Sequence, residues 1–309
     1  MKINTILFAF LACSLSFGSL AQHIQMPTEM IIAYSQQWKG ERFSDGRPKV
    51  PDALVKRLAN ISIEEAWGVL RSEGYESQFE GNWQIINPNK PLVGRVVTAQ
   101  YMPLRPDVNT PIMEKGKSEN RKGSSNSWPI DLLQENDVYV ADGYGKIIDG
   151  TLIGDNLGNS IYAKSKTGVV FDAGIRDLEG LEQIEGFVGF VRGADPSFIK
   201  NEMLTGINCP IRIGRATVLP GDLILGKREG VIFIPAHLAE KVITSSEFIS
   251  MTDKFGHLRL KQGKYTPGQI DQKWTDDIKA DFIKWVDENP DKRPMSKEEF
   301  AKLLKDKNW

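Results

Sequence analysis

Between residues 92 and 235 the chain repeats one pattern: short, continuously apolar runs rich in Val and Ile, separated by turn residues and brief amphipathic stretches. Runs that are apolar at every position, rather than at alternate ones, suit strands covered on both faces, and such strands need other layers to cover them. They fall at Leu92–Tyr101, Asp137–Ala141, Gly168–Asp172, Gly186–Val191, Ile211–Leu219, Asp222–Leu225 and Val231–Ile234. Helices are expected at Asp155–Lys166, with Leu157 and Ile161 on one side, and at Asp177–Ile184, with Leu178 and Leu181. Strand–helix–strand units of this kind imply an α/β core with some parallel pairing.

The flanks read differently. Residues 22 to about 60 look like an extended wrapping arm, broken by Pro27, Pro48 and Pro51 and turning at Asp45-Gly46-Arg47-Pro48. Ser62 and Glu65 then form a capping box that opens a helix with Ile63, Ala66, Trp67 and Leu70 at i, i+3, i+4 and i+7. The tail from about 246 reads as an appendage. Its first helix starts at Thr275-Asp276-Asp277 and carries Ile278, Phe282, Trp285 and Val286; its second is capped by Ser296 and Glu299 and carries Phe300, Leu303 and Leu304. One internal segment, Glu114 to Ser127, is polar and nearly free of apolar residues, so it is expected to be a mobile loop, either a surface insertion or a lid over the site. The division expected is 1–21 as a signal peptide, 22–90 as an N-terminal extension with its first helix, 91–250 as the core and 251–309 as a C-terminal helical extension.

The signal reading rests on Lys2, the short apolar run Ile6 to Phe17, and small residues around Ser19-Leu20-Ala21, with cleavage after Ala21. That run is too short to span a bilayer, and no later stretch is apolar enough for a transmembrane helix. The expectation is an exported protein, periplasmic or extracellular; lipidation at Cys13 is a poorer reading, because Phe10-Leu11-Ala12 does not resemble a lipoprotein signal. Export leaves Cys209 as the one cysteine, so no internal disulfide can form and the core must hold the fold. A formal charge of −1 gives no electrostatic reason to expect nucleic acid as a partner.

Chemistry concentrates in two places: Gly154-Asp155-Asn156-Leu157 at the start of a helix, and Gly168 to Asp177, where a strand runs out through Ala173-Gly174 into Arg176-Asp177. The free N–H groups of the first helical turn attract a carboxylate or phosphate. Residues just past the carboxyl end of a strand are where open α/β sheets hold ligands. An adjacent Arg and Asp can share the work, one gripping an anion and the other a hard cation. By spacing alone, Asp177 could equally cap the following helix, with Arg176 as its surface partner.

These motifs, followed by Phe190-Val191-Arg192-Gly193, Pro220-Gly221-Asp222-Leu223-Ile224 and Gly230-Val231-Ile232-Phe233-Ile234-Pro235, resemble in order and spacing the RraA-like family of 4-hydroxy-4-methyl-2-oxoglutarate aldolases and ribonuclease regulators. The resemblance covers roughly residues 90 to 250. It implies a swivelling β/β/α core assembled into homotrimers or homohexamers with sites between subunits. It further implies class II aldolase chemistry on a small 2-oxo acid, with pyruvate as product, oxaloacetate decarboxylation through the same enolate, and Mg²⁺ or Mn²⁺ as the metal. Carried over by residue, Asp177 would bind the metal, Arg176 the substrate's keto oxygen or carboxylate, and Asp155 a metal-bound or catalytic water. Gly154 and the amides of Asn156 and Leu157 would receive the pyruvyl carboxylate, and Asp253 is the candidate for an acid contributed by a neighbouring subunit. Two departures stand out: Gly180 replaces the acid usual three residues after the motif Asp, with Glu179 one place early, and Lys227-Arg228 replaces an acidic pair.

Other chemistries find less support. Lys164 and Lys166 show no apolar setting that would suit a Schiff-base lysine. Cys209 with His23, His237 or His257 forms no local catalytic motif, and three scattered histidines argue against zinc. Gly143-Tyr144-Gly145 lacks the strand–GxGxxG–helix context of nucleotide binding. Seven tryptophans, several in the extensions, could stack on sugars, but packing is the plainer reading.

Overall fold

A computed structural model describes residues 24–306. The expected signal peptide and Cys13 lie outside the described residues. The described residues open with three helices, α1 (Thr28–Tyr34), α2 (Asp52–Leu58) and α3 (Ile63–Ser72), followed by two short strands, β1 (Phe79–Glu80) and β2 (Gln84–Ile86). The capping box read from the sequence opens α3: the Glu65 N–H donates to Ser62 Oγ and the Ser62 N–H to Glu65 Oε2. The core then runs β3 (Leu92–Pro103), α4 (Pro106–Ser118), β4 (Asp137–Thr151), α5 (Asp155–Ser165), β5 (Gly168–Ile175), α6 (Leu178–Glu182), β6 (Val188–Ala194) and β7 (Glu202–Ile207). Four more strands follow, β8 (Ile211–Ile213), β9 (Ala216–Val218), β10 (Leu223–Lys227) and β11 (Gly230–Ile234). Helices α7 (Ala239–Lys261), α8 (Pro267–Ile270), α9 (Asp276–Glu288) and α10 (Lys297–Asp306) close the described chain.

One mixed sheet organises the molecule, in the order β1-β11-β10-β3-β4-β5-β6-β2, with β7 on the far half of β3. Its centre, β3 to β6, is parallel; β10, β11, β1, β2 and β7 are antiparallel to their neighbours. The parallel strands are apolar throughout because both faces are covered. Alternate residues of β5 point opposite ways: Val169, Phe171, Ala173 and Ile175 face the layer containing Ile161 of α5 and Leu181 of α6, while Val170 faces the β8–β9 hairpin. On the α-side, α2, α3 and α7 cover β10 and β11. The result is the α/β architecture expected, a sheet with helices on one face and a hairpin on the other.

Three sequence expectations need correction. The 22–60 arm is not simply extended, since α1 and α2 form within it and bury Ile31, Val55 and Leu58. The polar insert 114–127 is not a structureless loop either. Helix α4 continues to Ser118, and Ser125–Leu132 forms a 3-10 helix. Its anchor is Trp128, 2% exposed and one residue beyond the polar window; Gly116 lies so close to that ring that a Cβ would come within 2.2 Å of Trp128 Cη2. The run 211–219 is two strands, because Gly214, at φ +56°, turns the chain between them.

The tail forms a small core of its own around Phe248, Met251 and Phe255 of α7 with Phe282, Trp285 and Phe300. The last helix carries the anticipated capping box between Ser296 and Glu299. Arg57 of α2 joins the tail to the N-terminal extension by ion pairs with Glu247 and Glu299.

Candidate active site

The parallel pairing of β4 with β5 brings the two chemical segments together. Past the strand ends, the Leu152 N–H donates to Gly174 O and the Arg176 N–H to Ile153 O, both at 3.0 Å, so the chain entering Gly154 runs beside the chain entering Asp177. Gly154 is the N-cap of α5. A Cβ at Gly154 would lie 2.2 Å from Asp177 Oδ2 and 3.1 Å from Arg176 Cζ, so the Arg–Asp pair rests directly over the glycine. Arg176 Nη1 and Asp177 Oδ2 are 2.9 Å apart, with the two side chains 40% and 37% exposed.

Asp177 does not cap its helix. It sits at the N-cap of α6 in the left-handed region, φ 56° and ψ 46°, and its carboxylate makes no capping hydrogen bond. A non-glycine residue held there is strained, and its side chain is turned from the helix toward Arg176 and the open face.

Asp155 and Asn156 complete the rim. Asp155 Oδ1 accepts the Asn156 N–H at 2.8 Å, so that amide is already engaged, contrary to a free carboxylate-binding N–H at this position. The Leu157 N–H belongs to the same first turn, whose amides have no partner within the helix. Gly180 of α6 lies against Asp155: a Cβ there would meet Asp155 Cβ at 2.7 Å and Oδ2 at 2.9 Å.

Two adjoining hollows share Arg176 and Asn156. One is an open depression of about 640 Å³ bordered by Asp155, Arg176, Asp177, Glu179 and Gly180. The other is a cleft of about 90 Å³ that includes Gly154, Leu157, Asn126, Phe198 and Ile199. Asn126, from the polar insert, donates to Leu152 O at 2.8 Å and so is fixed at the rim. Neither Asn126 nor Phe198 carries a motif that would have marked it in the sequence. Asp253 stands elsewhere, on α7, lining a larger cavity of about 720 Å³ with His257 and Trp274 and bordering neither hollow. That cavity is the roomier one, but it lacks the Arg–Asp pair and the helix start that give the smaller hollows their chemistry.

Among the described residues no cluster of three or more His, Cys, Asp or Glu side chains is placed to hold a metal. Asp155 and Asp177 do border one depression, and Mg²⁺ is commonly held by one or two carboxylates, with water and substrate filling its other positions. The donor set therefore fits a hard, oxygen-seeking ion rather than zinc. Cys209 is a free thiol pushed up to about 11 by burial, which suits packing and not nucleophilic work.

Comparison with known proteins identifies the family. A family model described as RraA-like, Aldolase/RraA, matches residues 49–233, more than half of the chain. Protein DlpA of Legionella pneumophila is 26% identical over 205 residues, covering 65% of this chain and 30% of the relative. A putative 4-hydroxy-4-methyl-2-oxoglutarate aldolase of Halalkalibacterium halodurans is 32% identical over 111 residues, 36% of this chain and 52% of the relative. A protein of Thermus thermophilus named 4-hydroxy-4-methyl-2-oxoglutarate aldolase is 28% identical over 99 residues, 32% of this chain and 58% of the relative. The matches thus span about a third to somewhat over half of these relatives' lengths.

Among solved structures, Streptomyces coelicolor RraAS2, described as an unusual member of the RNase ES inhibitor RraA protein family, superposes with a TM-score of 0.58 at 23% identity, covering 68% of this chain and 100% of that one. An uncharacterised Pseudomonas syringae protein gives 0.60 at 21% identity, covering 75% and 98%. At such identities the superpositions speak for the fold. With the β/β/α layering and the 154–177 motifs in place, the chain belongs to the RraA-like, Aldolase/RraA family.

Proposed function

We propose that this protein is a divalent-metal-dependent carbon–carbon lyase that cleaves a small 2-oxo acid to pyruvate, with oxaloacetate decarboxylation as a second outcome of the same site. The observation that carries the reading is Asp177: a strained, half-exposed carboxylate that forgoes its helix cap and lies over Gly154 beside Arg176. Residues held in sparsely populated backbone regions cluster at active sites. Two relatives named as 4-hydroxy-4-methyl-2-oxoglutarate aldolases point the same way.

Asp177 would hold Mg²⁺ or Mn²⁺, with Asp155 on the same rim. When bound, the ion supplies Lewis acidity toward the keto and carboxylate oxygens of a 2-oxo acid. The remaining work belongs to the chain. Arg176 places a fixed positive charge where negative charge grows on the keto oxygen as the carbon–carbon bond breaks. The Leu157 amide and the start of α5 orient the carboxylate. Asp155, with Oδ1 engaged by Asn156, keeps Oδ2 for a water that accepts the proton of the cleaved hydroxyl. The assembly we infer is a homotrimer or homohexamer, and the compartment is the periplasm or the exterior.

The test is pyruvate release from 4-hydroxy-4-methyl-2-oxoglutarate and from oxaloacetate by the purified protein with Mg²⁺ or Mn²⁺, in parallel with Asp177→Asn and Arg176→Ala. Turnover that EDTA removes and either variant abolishes supports the proposal. Turnover unaffected in Asp177→Asn refutes it. Gly180, which stands where aldolases tend to carry an acid, favours a second reading as a non-catalytic binding or regulatory module. On that reading no member of a 2-oxo-acid panel is turned over, and Mg²⁺ with oxalate does not bind.

A further inference from the structure

We propose that the N-terminal extension and the core together form a second binding site, separate from the 154–180 rim, that takes a neutral hydroxylated ring of monosaccharide size. The site is a cleft of about 280 Å³ between α1 with its following loop and the turns flanking β10 and β11. It shares no lining residue with either hollow at Arg176. Three aromatic residues, Tyr34, Trp38 and Tyr75, stand on its walls, and Gln78, Asp222 and His237 supply polar groups.

The walls are held in place before any ligand arrives. Arg42 donates to the carbonyls of Ser35, Trp38 and Gly46, stitching the loop that carries Trp38. The Trp38 indole N–H donates to Glu41 O at 2.7 Å, and Gly40 lies so close to the ring that a Cβ would come within 2.4 Å of Cζ2, so the ring is fixed in direction and backed on one side. Opposite, Gly221, at φ +89°, brings the Pro220-Gly221-Asp222 turn against Pro48, where a Cβ would be 2.4 Å from Pro48 Cδ. The cleft is thus clamped from both sides, and a preformed site spares a ligand part of the ordering cost of binding.

Its chemistry selects an uncharged occupant. No Lys or Arg is among the residues that line it, so a buried anion would find no counter-charge. The Gln78 amide commits Nε2 to the carbonyls of Thr217 and Phe233, which leaves Oε1 as that side chain's acceptor. His237 Nε2 and the Tyr75 hydroxyl lie 3.3 Å apart, and each can also face a ligand hydroxyl. Burial lowers the His237 pKa and raises that of Asp222 to about 7, so neither group carries a firm charge near neutrality. Aromatic faces for an apolar ring surface, with mixed donors and acceptors around them, match a pyranose, which has a C–H face and equatorial hydroxyls. The volume stands at the small end of ligand pockets and limits the occupant to about one ring.

The full chain is to be titrated with glucose, galactose, xylose and N-acetylglucosamine, with glucuronate as the anionic counterpart, by saturation-transfer NMR and calorimetry. Saturable millimolar binding of at least one neutral pyranose is expected, weakened about tenfold or more in Trp38→Ala and in Tyr34→Ala, and unchanged in Arg176→Ala. Tyr34 is half exposed, so its removal tests the wall without disturbing the core. The inference is overturned if no neutral pyranose binds, if binding survives both aromatic substitutions, or if glucuronate binds as well as glucose. Loss of binding in Arg176→Ala would also overturn it, by assigning the sugar to the reaction site.

Discussion

Gly154→Ala separates the site from the fold more cleanly than any catalytic substitution. The backbone at Gly154 is extended, with φ −117° and ψ −168°, so alanine is allowed there; the gain of about 0.4–1 kcal/mol through the unfolded chain is offset by the preference of an N-cap for glycine over alanine. The new methyl would stand 2.2 Å from Asp177 Oδ2, whereas an ordinary contact needs roughly 1 Å more. The obstructing atom is the tip of a 37% exposed side chain, which can swing outward without disturbing the sheet. The fold therefore keeps its stability while the Asp177 carboxylate and the neighbouring guanidinium are displaced by about 1 Å. A displacement of that size typically costs about 10² in rate, or about 2.7 kcal/mol of transition-state stabilisation. The assay pairs kcat/KM for pyruvate release with a thermal melt on the same preparations. A nearly unchanged Tm with a hundredfold loss of kcat/KM is expected. Activity within threefold of the parent would show that the position of the pair over Gly154 does not matter to catalysis, and a large fall in Tm would show that the glycine serves the fold.

Arg176→Lys keeps the charge but loses the planar fork, so kcat/KM should fall by about 10²–10³ with Tm unchanged, measured by steady-state kinetics and scanning calorimetry. Arg47→Met strips from Asp137 its two-pronged partner, both side chains of that pair being wholly buried, and leaves Arg95 Nε 3.9 Å away; it should cost about 3–5 kcal/mol in urea unfolding, and an effect below 1 kcal/mol would mean that Arg95 takes over the pairing. Glu202 is buried with neither oxygen in a hydrogen bond of good geometry, although Lys146 Nζ lies 3.4 Å from one of them, and burial pushes its pKa up from 4.5 to about 7. The folded chain therefore holds a proton that the unfolded chain has released, and stability should fall as pH rises from 4.5 to 7. Glu202→Gln should flatten that slope in melts across the window, while Asp222, raised in the same direction, keeps part of it.

How much of this was legible depended on whether the signal was local. The β5 run and its exit at Arg176-Asp177 could be read because apolar continuity and the following glycine lie within ten residues. The capping boxes at Ser62 and Ser296 were equally local. What escaped were pairings made by distant segments. Strand β7 reads as a mixed polar stretch, since it is defined by its ladder with β3. Arg47 looked like a turn residue, yet it reaches across 90 positions to Asp137. The 114–127 insert looked unanchored because Trp128 lies one residue outside it. At the site, the sequence leaves open whether Asp177 caps its helix with Arg176 as its surface partner; the structure shows the Arg176 pairing but no cap, a distinction that depends on a backbone conformation the sequence does not carry.

The two departures from the aldolase pattern also bear on the site. An acid at position 180 could not coexist with Asp155 as placed, because the space where its Cβ would stand is taken by the Asp155 side chain. Glu179, one position earlier, borders the same depression as Asp155 and Asp177. Asp155, Asp177 and Glu179 border the hollow together with Arg176, whose Nη1 pairs with Asp177 Oδ2 at 2.9 Å. The glycine at 180 is thus what leaves room for the Asp155 side chain on the rim. The Lys227-Arg228 change is a separate matter, for these residues sit at the β10–β11 turn, and neither lines the depression.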